Sequence, residues 1–207
     1  MFTGIVEELG KIISIGSSIK MSASKILNDI HIGDSISVNG ICLTVTDFND
    51  KSFTVDAMPE TWHRTALKQL GIGSEVHLER AMSANSRFGG HIVSGHIDGT
   101  GIICGYKNDG NAIWITIKAD KDLLRYIAPK GSVTVDGVSL TVVDSLSDCF
   151  TISLIPHTSA VTTLTSHKTG DLVNIETDVL AKYIEHLVNF NKSDRKIDME
   201  FLTRCGF

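Results

Sequence analysis

Proline is almost missing from this chain, with three among 207 residues. That scarcity suits strands, whose ladder positions each need a backbone N–H to donate. No run of lysine and arginine occurs, and the formal net charge is −5. The basic stripe that nucleic-acid binding requires is therefore lacking. No stretch of 18 apolar residues is present, so no bilayer-spanning helix is expected. The opening MFTGIVEE has neither a basic start nor an apolar stretch, so it does not read as a secretory signal. Cys42, Cys104, Cys149 and Cys205 form no CxxC pair, and their spacing suggests no disulfide framework. A reduced cytoplasm is the expected compartment. Among eight histidines only His91 and His96 stand close together, with no HExxH or Cys/His cluster beside them. No metal site is expected.

What the chain does have is a duplication. TGIV at Thr3–Val6 matches SGHI at Ser94–Ile97, and VNGICLTVTD at Val38–Asp47 matches VDGVSLTVVD at Val135–Asp144. Met58–Thr61 matches Ile155–Thr158, and GSEVHLE at Gly73–Glu79 matches GDLVNIE at Gly170–Glu176. The offset grows from 91 to 97, so the second copy carries six extra residues between Gly16 and Lys130. A repeat of about 90 residues is too long for a solenoid and long enough for a domain with its own core. Domains are expected at 1–90 and 91–180, with a helix and tail over 181–207.

Short apolar or alternating runs recur every 8–14 residues, bounded by Gly, Asn or Asp, and predict an all-β antiparallel barrel or sandwich. In the first copy the predicted strands are Gly4–Ile15, Asp34–Val38, Ile41–Asp47, Ser52–Ala57 and Ser74–Arg80. In the second they are Gly95–Ile103, Ala112–Ile117, Ser132–Val135, Val138–Asp144, Cys149–Leu154 and Asp171–Glu176. Asn39-Gly40 and Asp136-Gly137 are tight-turn signals. Short helices or turns are expected at Glu60–Gln69 and Thr158–Thr165, and a helix at Lys121–Ile127 that stops before Pro129. After Asp178, a good N-cap, a helix is predicted with Val179, Leu180, Tyr183, Ile184, Leu187 and Val188 on one face. That face either docks on its own barrel or joins copies of the chain. The tail Asn191–Phe207 reads as a loosely held terminus.

The differences between the copies are informative. Ile5 becomes His96, Asn39 becomes Asp136, Cys42 becomes Ser139, Glu60 becomes His157 and Ala81 becomes Asp178. Each has an ordinary reading beside a chemical one. His96 is a hydrogen-bonded core histidine or a proton-transfer group. Cys42 is an inert strand thiol or a reactive one. Lys130 is a solvated turn residue or a ligand contact.

MFTGIVEE, NGICLTV, GGHIVSGHIDGTG, DGVSLTVV, LIPHT and NIETDVLAKY together resemble the riboflavin synthase family of the alpha-chain type. The likeness covers nearly the whole chain. It implies two tandem six-stranded antiparallel Greek-key barrels plus a C-terminal helix, assembled as a homotrimer through that helix. It implies that two molecules of 6,7-dimethyl-8-ribityllumazine exchange a four-carbon unit, giving riboflavin and 5-amino-6-(D-ribitylamino)uracil, with no cofactor. Association with lumazine synthase is left open.

By the same resemblance Gly4, Ile5 and Val6 line a first pocket with Cys42, Leu43, Thr44 and Asp56, Ala57, Met58, Pro59, Glu60 and Thr61. Gly95, His96 and Ile97 line a second with Val138, Ser139, Leu140 and Ser153, Leu154, Ile155, Pro156, His157 and Thr158. Lys130 reaches ligand near the subunit boundary. Ser35, Cys42 and His96 match the catalytic positions, with His96 moving a proton or activating water, a task suited to an imidazole at neutral pH. Asp178 orients its neighbours. One alternative is a relative that carries lumazine or flavin as an optical antenna; such a protein is expected to lose the histidine of SGHI. Another is the flavin-binding barrel of a reductase, which needs a nicotinamide domain with a GxGxxG loop, and no such segment occurs in the sequence.

Overall fold

The structure, a computed structural model, describes residues 1–193 and Thr203. Twelve strands close two barrels. The first holds β1 (Glu8–Ile15), β2 (Ser18–Ser22), β3 (Ser35–Val38), β4 (Ile41–Asn49), β5 (Ser52–Asp56) and β6 (Glu75–Arg80). They close in the order β1-β2-β5-β4-β3-β6, a Greek key with every pairing antiparallel. The second repeats this order with β7 (Gly99–Asp109), β8 (Ala112–Lys118), β9 (Ser132–Val135), β10 (Val138–Ser145), β11 (Cys149–Leu154) and β12 (Leu172–Thr177).

Each barrel encloses its own core, because alternate strand residues point inward. Ile19, Met21, Ile36, Phe53, Val55, Val76 and Leu78 fill the first. Ile115, Ile117, Val133, Val135, Phe150, Ile152, Val173 and Ile175 fill the second. Burying a side chain of this size contributes roughly 1.5–3 kcal/mol. The register shifts at Val45/Asp47 in β4 and again at the matching Val142/Asp144 in β10. Such bulges bend a strand enough for a small sheet to close.

Strand pairs β3–β4 and β9–β10 turn through Asn39-Gly40 and Asp136-Gly137. All four residues have positive φ (45°, 84°, 45° and 80°), as a two-residue hairpin turn requires. The predicted strands starting at Gly4 and Gly95 begin later, at Glu8 and Gly99. The residues before them leave their own barrel. Strand β2 was absent from the expectation, because SIKMS is short and carries only Ile19 and Met21 inward. Five of the six extra residues lie in the longer β7–β8 hairpin, where Ile102 pairs with Lys118 as Lys11 pairs with Ser22, and the sixth lies between β8 and β9.

Helix α1 (Pro59–Arg64) is followed by a 3-10 turn at Ala66–Gln69. Helix α2 (Lys121–Leu124) is shorter than predicted, and α3 spans Pro156–Val161. Helix α4 covers Val179–Ser193, and Asp178 Oδ1 accepts the Leu180 amide at 2.9 Å as its cap. Its polar side is tied to the second barrel. Lys182 meets Asp98 at 2.6 Å, and Glu185 contacts Arg125 and Tyr126. The predicted apolar stripe faces away, with Tyr183 64% and Ile184 63% exposed. Most of the tail predicted over 191–207, including Cys205, lies outside the described residues.

Candidate active site

The two tight turns meet at the join between the barrels. A side-chain carbon on Gly137 would stand 2.6 Å from the Gly40 nitrogen, so both positions need glycine for the turns to abut. Around them the polar groups are paired. The Thr163 amide donates to His77 Nε2 at 2.8 Å, which leaves Nδ1 as the protonated nitrogen, donating to the Asp136 carbonyl at 2.7 Å. Burial holds the His77 pKa below its ordinary value, in keeping with that neutral form. Asn174, the His77 counterpart, donates from its side chain to the Asn39 carbonyl (2.9 Å) and accepts the Ala66 amide (2.7 Å).

From this join two loops cross. Phe2 pairs with Val93 between the barrels. Beyond the pair, the Thr3 amide and hydroxyl and the Gly4 amide all donate to the Glu79 carboxylate, at 2.7, 2.8 and 3.0 Å. The Ser94 amide and hydroxyl and the Gly95 amide donate to Glu176 in the same way, at 2.6, 2.6 and 2.9 Å. Each loop is thus clamped by a glutamate of its own barrel. Each then lies on the other barrel. Gly4 O accepts the Ser139 amide at 2.8 Å, and Gly95 O accepts the Cys42 amide at 2.8 Å. Val6 packs on the second core and Ile97 on the first.

This corrects the grouping expected from the sequence. Gly4–Val6 joins Ser139, and Gly95–Ile97 joins Cys42. Aligned repeats show which residues are equivalent, and equivalence says nothing about which copy each touches.

The first cradle is the outer face of β3 and β4. Ser35 pairs with Thr44 and Ser37 with Cys42, so these four share one face. Ser35 also borders a cavity of about 120 Å³ with Asp29 and Arg80. Asp56 ends β5, Ala57 and Met58 follow, and Pro59, Glu60 and Thr61 form the first turn of α1. His96 follows Gly95 on the crossing loop, exposed, its amide bonded to Ser94 Oγ at 3.3 Å. In the second cradle Ser139 shares its face with Thr134. Ser153 and Leu154 end β11, Ile155 follows, and Pro156, His157 and Thr158 open α3. Val6 and His157 border one groove of about 390 Å³.

Leu43, Val138, Leu140 and Leu154 point into the barrels, so only their backbone is available to either cradle. Lys130 holds a left-handed φ of 65° at the slot that Gly33 fills in the first copy. Its amide donates to Val142 O at 2.8 Å and its side chain is exposed on the turn before β9.

Three residues were missed by the sequence reading. Glu79 and Glu176 stand at the ends of GSEVHLE and GDLVNIE, and a glutamate retained at a buried strand position in both copies was the available signal. Burial raises the pKa of each carboxyl, against the lowering effect of the bonds from Thr3 and Gly4 or from Ser94 and Gly95. The third is His91, whose ring bonds Ser139 Oγ at 2.7 Å and Thr134 Oγ1 at 3.2 Å.

Comparison with known proteins agrees with the twofold layout. The lumazine binding domain family matches residues 3–81 and again 94–178. Riboflavin synthases of Actinobacillus pleuropneumoniae and Bacillus subtilis (strain 168) are each 50% identical, aligned over all of this chain and all of their own. That of Schizosaccharomyces pombe is 43% identical over 94% of this chain and 97% of its own. A solved structure of LumP with 6,7-dimethyl-8-(1'-D-ribityl) lumazine superposes with a TM-score of 0.75 at 26% identity, covering 86% of this chain and 99% of LumP. With matches of this identity running end to end, the chain belongs to the riboflavin synthase family.

Proposed function

We propose that the chain converts two molecules of 6,7-dimethyl-8-ribityllumazine into riboflavin and 5-amino-6-(D-ribitylamino)uracil by moving a four-carbon unit from one to the other. The observation that carries this is the pair of crossed bonds, Gly4 to Ser139 and Gly95 to Cys42, which builds two like cradles from one repeated plan. Donor and acceptor are the same compound, so two like cradles suit the reaction. Two lumazines supply all the atoms and electrons of the two products. Holding both in contact replaces a chance encounter and can contribute about 7–11 kcal/mol to the rate.

The acidic proton is that of the lumazine 7-methyl group, and carbon 7 of the second lumazine is the electrophile. His96 is the proton-transfer group or activates a water at that carbon. Cys42, whose amide holds the same loop at Gly95, is nucleophile or polarising contact, and Ser35 relays or orients a proton. Ile5, Thr44, Asp56–Thr61 and Ser153–Thr158 surround the rings, and Lys130 reaches ligand near the subunit boundary. The left-handed backbone of Lys130 supports a role for that side chain, since such strain concentrates at functional positions.

The uncovered stripe on α4 supports a homotrimer in which the first barrel of one subunit meets the second barrel of another. A cytoplasmic location belongs to the same reading. An optical-antenna role is disfavoured because His96, Cys42 and Ser35 are all present. The test is purified protein with the lumazine alone, read by flavin fluorescence. Riboflavin formed without addition supports the reading; a strict demand for a nucleotide or metal contradicts it.

A further inference from the structure

A polar cluster in the second cradle has no counterpart among the described residues of the first. In the second, the ring of His91 lies between Ser139 Oγ (2.7 Å) and Thr134 Oγ1 (3.2 Å), buried to 8% exposure. Its own amide donates to Thr3 O at 3.2 Å, so the ring is anchored where the crossing loop begins. In the first cradle Cys42, the counterpart of Ser139, makes no side-chain hydrogen bond among the described residues.

We infer that His91 is a positioning residue that fixes the hydroxyl of Ser139 and so decides which hydrogen-bonding role Ser139 offers a heterocycle in the second cradle. The chemistry is that of a neutral imidazole, one nitrogen donating and the other accepting. With the proton on Nδ1, the ring donates to Ser139 Oγ, and the Ser139 O–H is left to donate to a ring nitrogen or carbonyl of the ligand. Thr134 then donates to Nε2. With the proton on Nε2, Ser139 spends its O–H on His91 and can only accept. In both forms the hydroxyl is prevented from rotating freely, and the ordering cost of binding is reduced. The effect falls on one cradle of two, which gives two otherwise similar pockets different recognition of the same ring.

The inference rests on the reading that a lumazine-type ring occupies the second cradle, and the test separates the two. Riboflavin serves as the probe, because alone it binds without turning over. Titration by fluorescence quenching is done on the wild type, His91→Ala, His91→Asn, His91→Gln, Ser139→Ala and the His91→Ala/Ser139→Ala double variant, with melting curves for each. The phase weakened by Ser139→Ala identifies the second cradle. The expected result is that His91→Ala weakens that phase roughly tenfold, leaves the other unchanged, and adds nothing in the Ser139→Ala background. Asn places a polar atom near Nδ1 and is expected to restore binding to within about threefold. Gln reaches toward Thr134 and is expected to behave as Ala does. Equal losses from His91→Ala with and without Ser139, or rescue by Gln better than by Asn, overturn the positioning role and leave packing alone. If Ser139→Ala changes neither phase, the occupancy reading itself fails, and the inference with it.

Discussion

The Gly95 carbonyl accepts the Cys42 amide at 2.8 Å, and this bond fastens the loop bearing His96 to the strand bearing the thiol. The Gly4 carbonyl accepts the Ser139 amide at the same distance on the other side of the join. Histidine and cysteine come from different copies of the repeat. Neither barrel alone therefore holds both.

His96→Ala is expected to lower turnover by on the order of 10²–10⁴ while lumazine binding is largely kept. Turnover by flavin fluorescence and binding by lumazine titration check the two halves. An unchanged rate removes His96 from proton transfer.

Gly95→Ala brings a methyl carbon to 2.6 Å from Cys42 Cβ, at a φ of +80° that L-residues rarely adopt. The backbone term alone costs roughly 1–2 kcal/mol, and the clash displaces the loop. The expected outcome is a lower melting temperature and a loss of turnover larger than the loss of stability explains. A variant with wild-type turnover means that the loop need not lie on Cys42.

Glu176→Gln leaves one oxygen to serve three donors from Ser94 and Gly95. A loss of about 1–3 kcal/mol in denaturant unfolding is expected, with a fall in turnover, since the same loop carries His96. Glu79→Gln is expected to have a like effect on stability through Thr3 and Gly4.

Stability is expected to depend on pH on both sides of neutrality. Burial lowers the pKa of His77 and of His91 from 6.5, so below about pH 6.5 the unfolded chain takes up protons that the folded chain resists, and stability falls. For His167, burial acts to lower the pKa, but Asp136 and Asp171 outweigh it and the net shift is upward. Its contribution is complete below 6.5 and is lost as pH rises through the folded value. His167→Leu, which installs the residue found at the matching Leu70, is expected to remove the decline in melting temperature that sets in as pH rises from 6.5, to keep the acid one, and to leave the decline above about pH 9 that the raised Cys149 and Tyr106 pKa values contribute. A slope between about pH 6.5 and 9 equal to the wild type's contradicts this assignment.

Much of the architecture was legible because duplication doubles each signal. Asn39-Gly40 and Asp136-Gly137 marked the hairpins, and alternation placed Ser132–Val135 and Cys149–Leu154 on their observed bounds. The site was legible as a set of residues and not as an arrangement. Gly4–Val6 and Gly95–Ile97 read as strand continuations, since Ile and Val suit a strand wherever they pack. They leave their barrels because Glu79 and Glu176 draw their amides aside, a contact spanning 75 residues or more that no local pattern reports. His91 was weighed only as a metal ligand and set aside, because its partner Ser139 stands 48 positions away.

The most direct test of the account is a crystal structure with an unreactive lumazine analogue. Two rings per chain are predicted, one between Cys42 and the Gly95–Ile97 loop, the other between Ser139 and the Gly4–Val6 loop. One ring per chain, or rings lying away from these crossed loops, would contradict it.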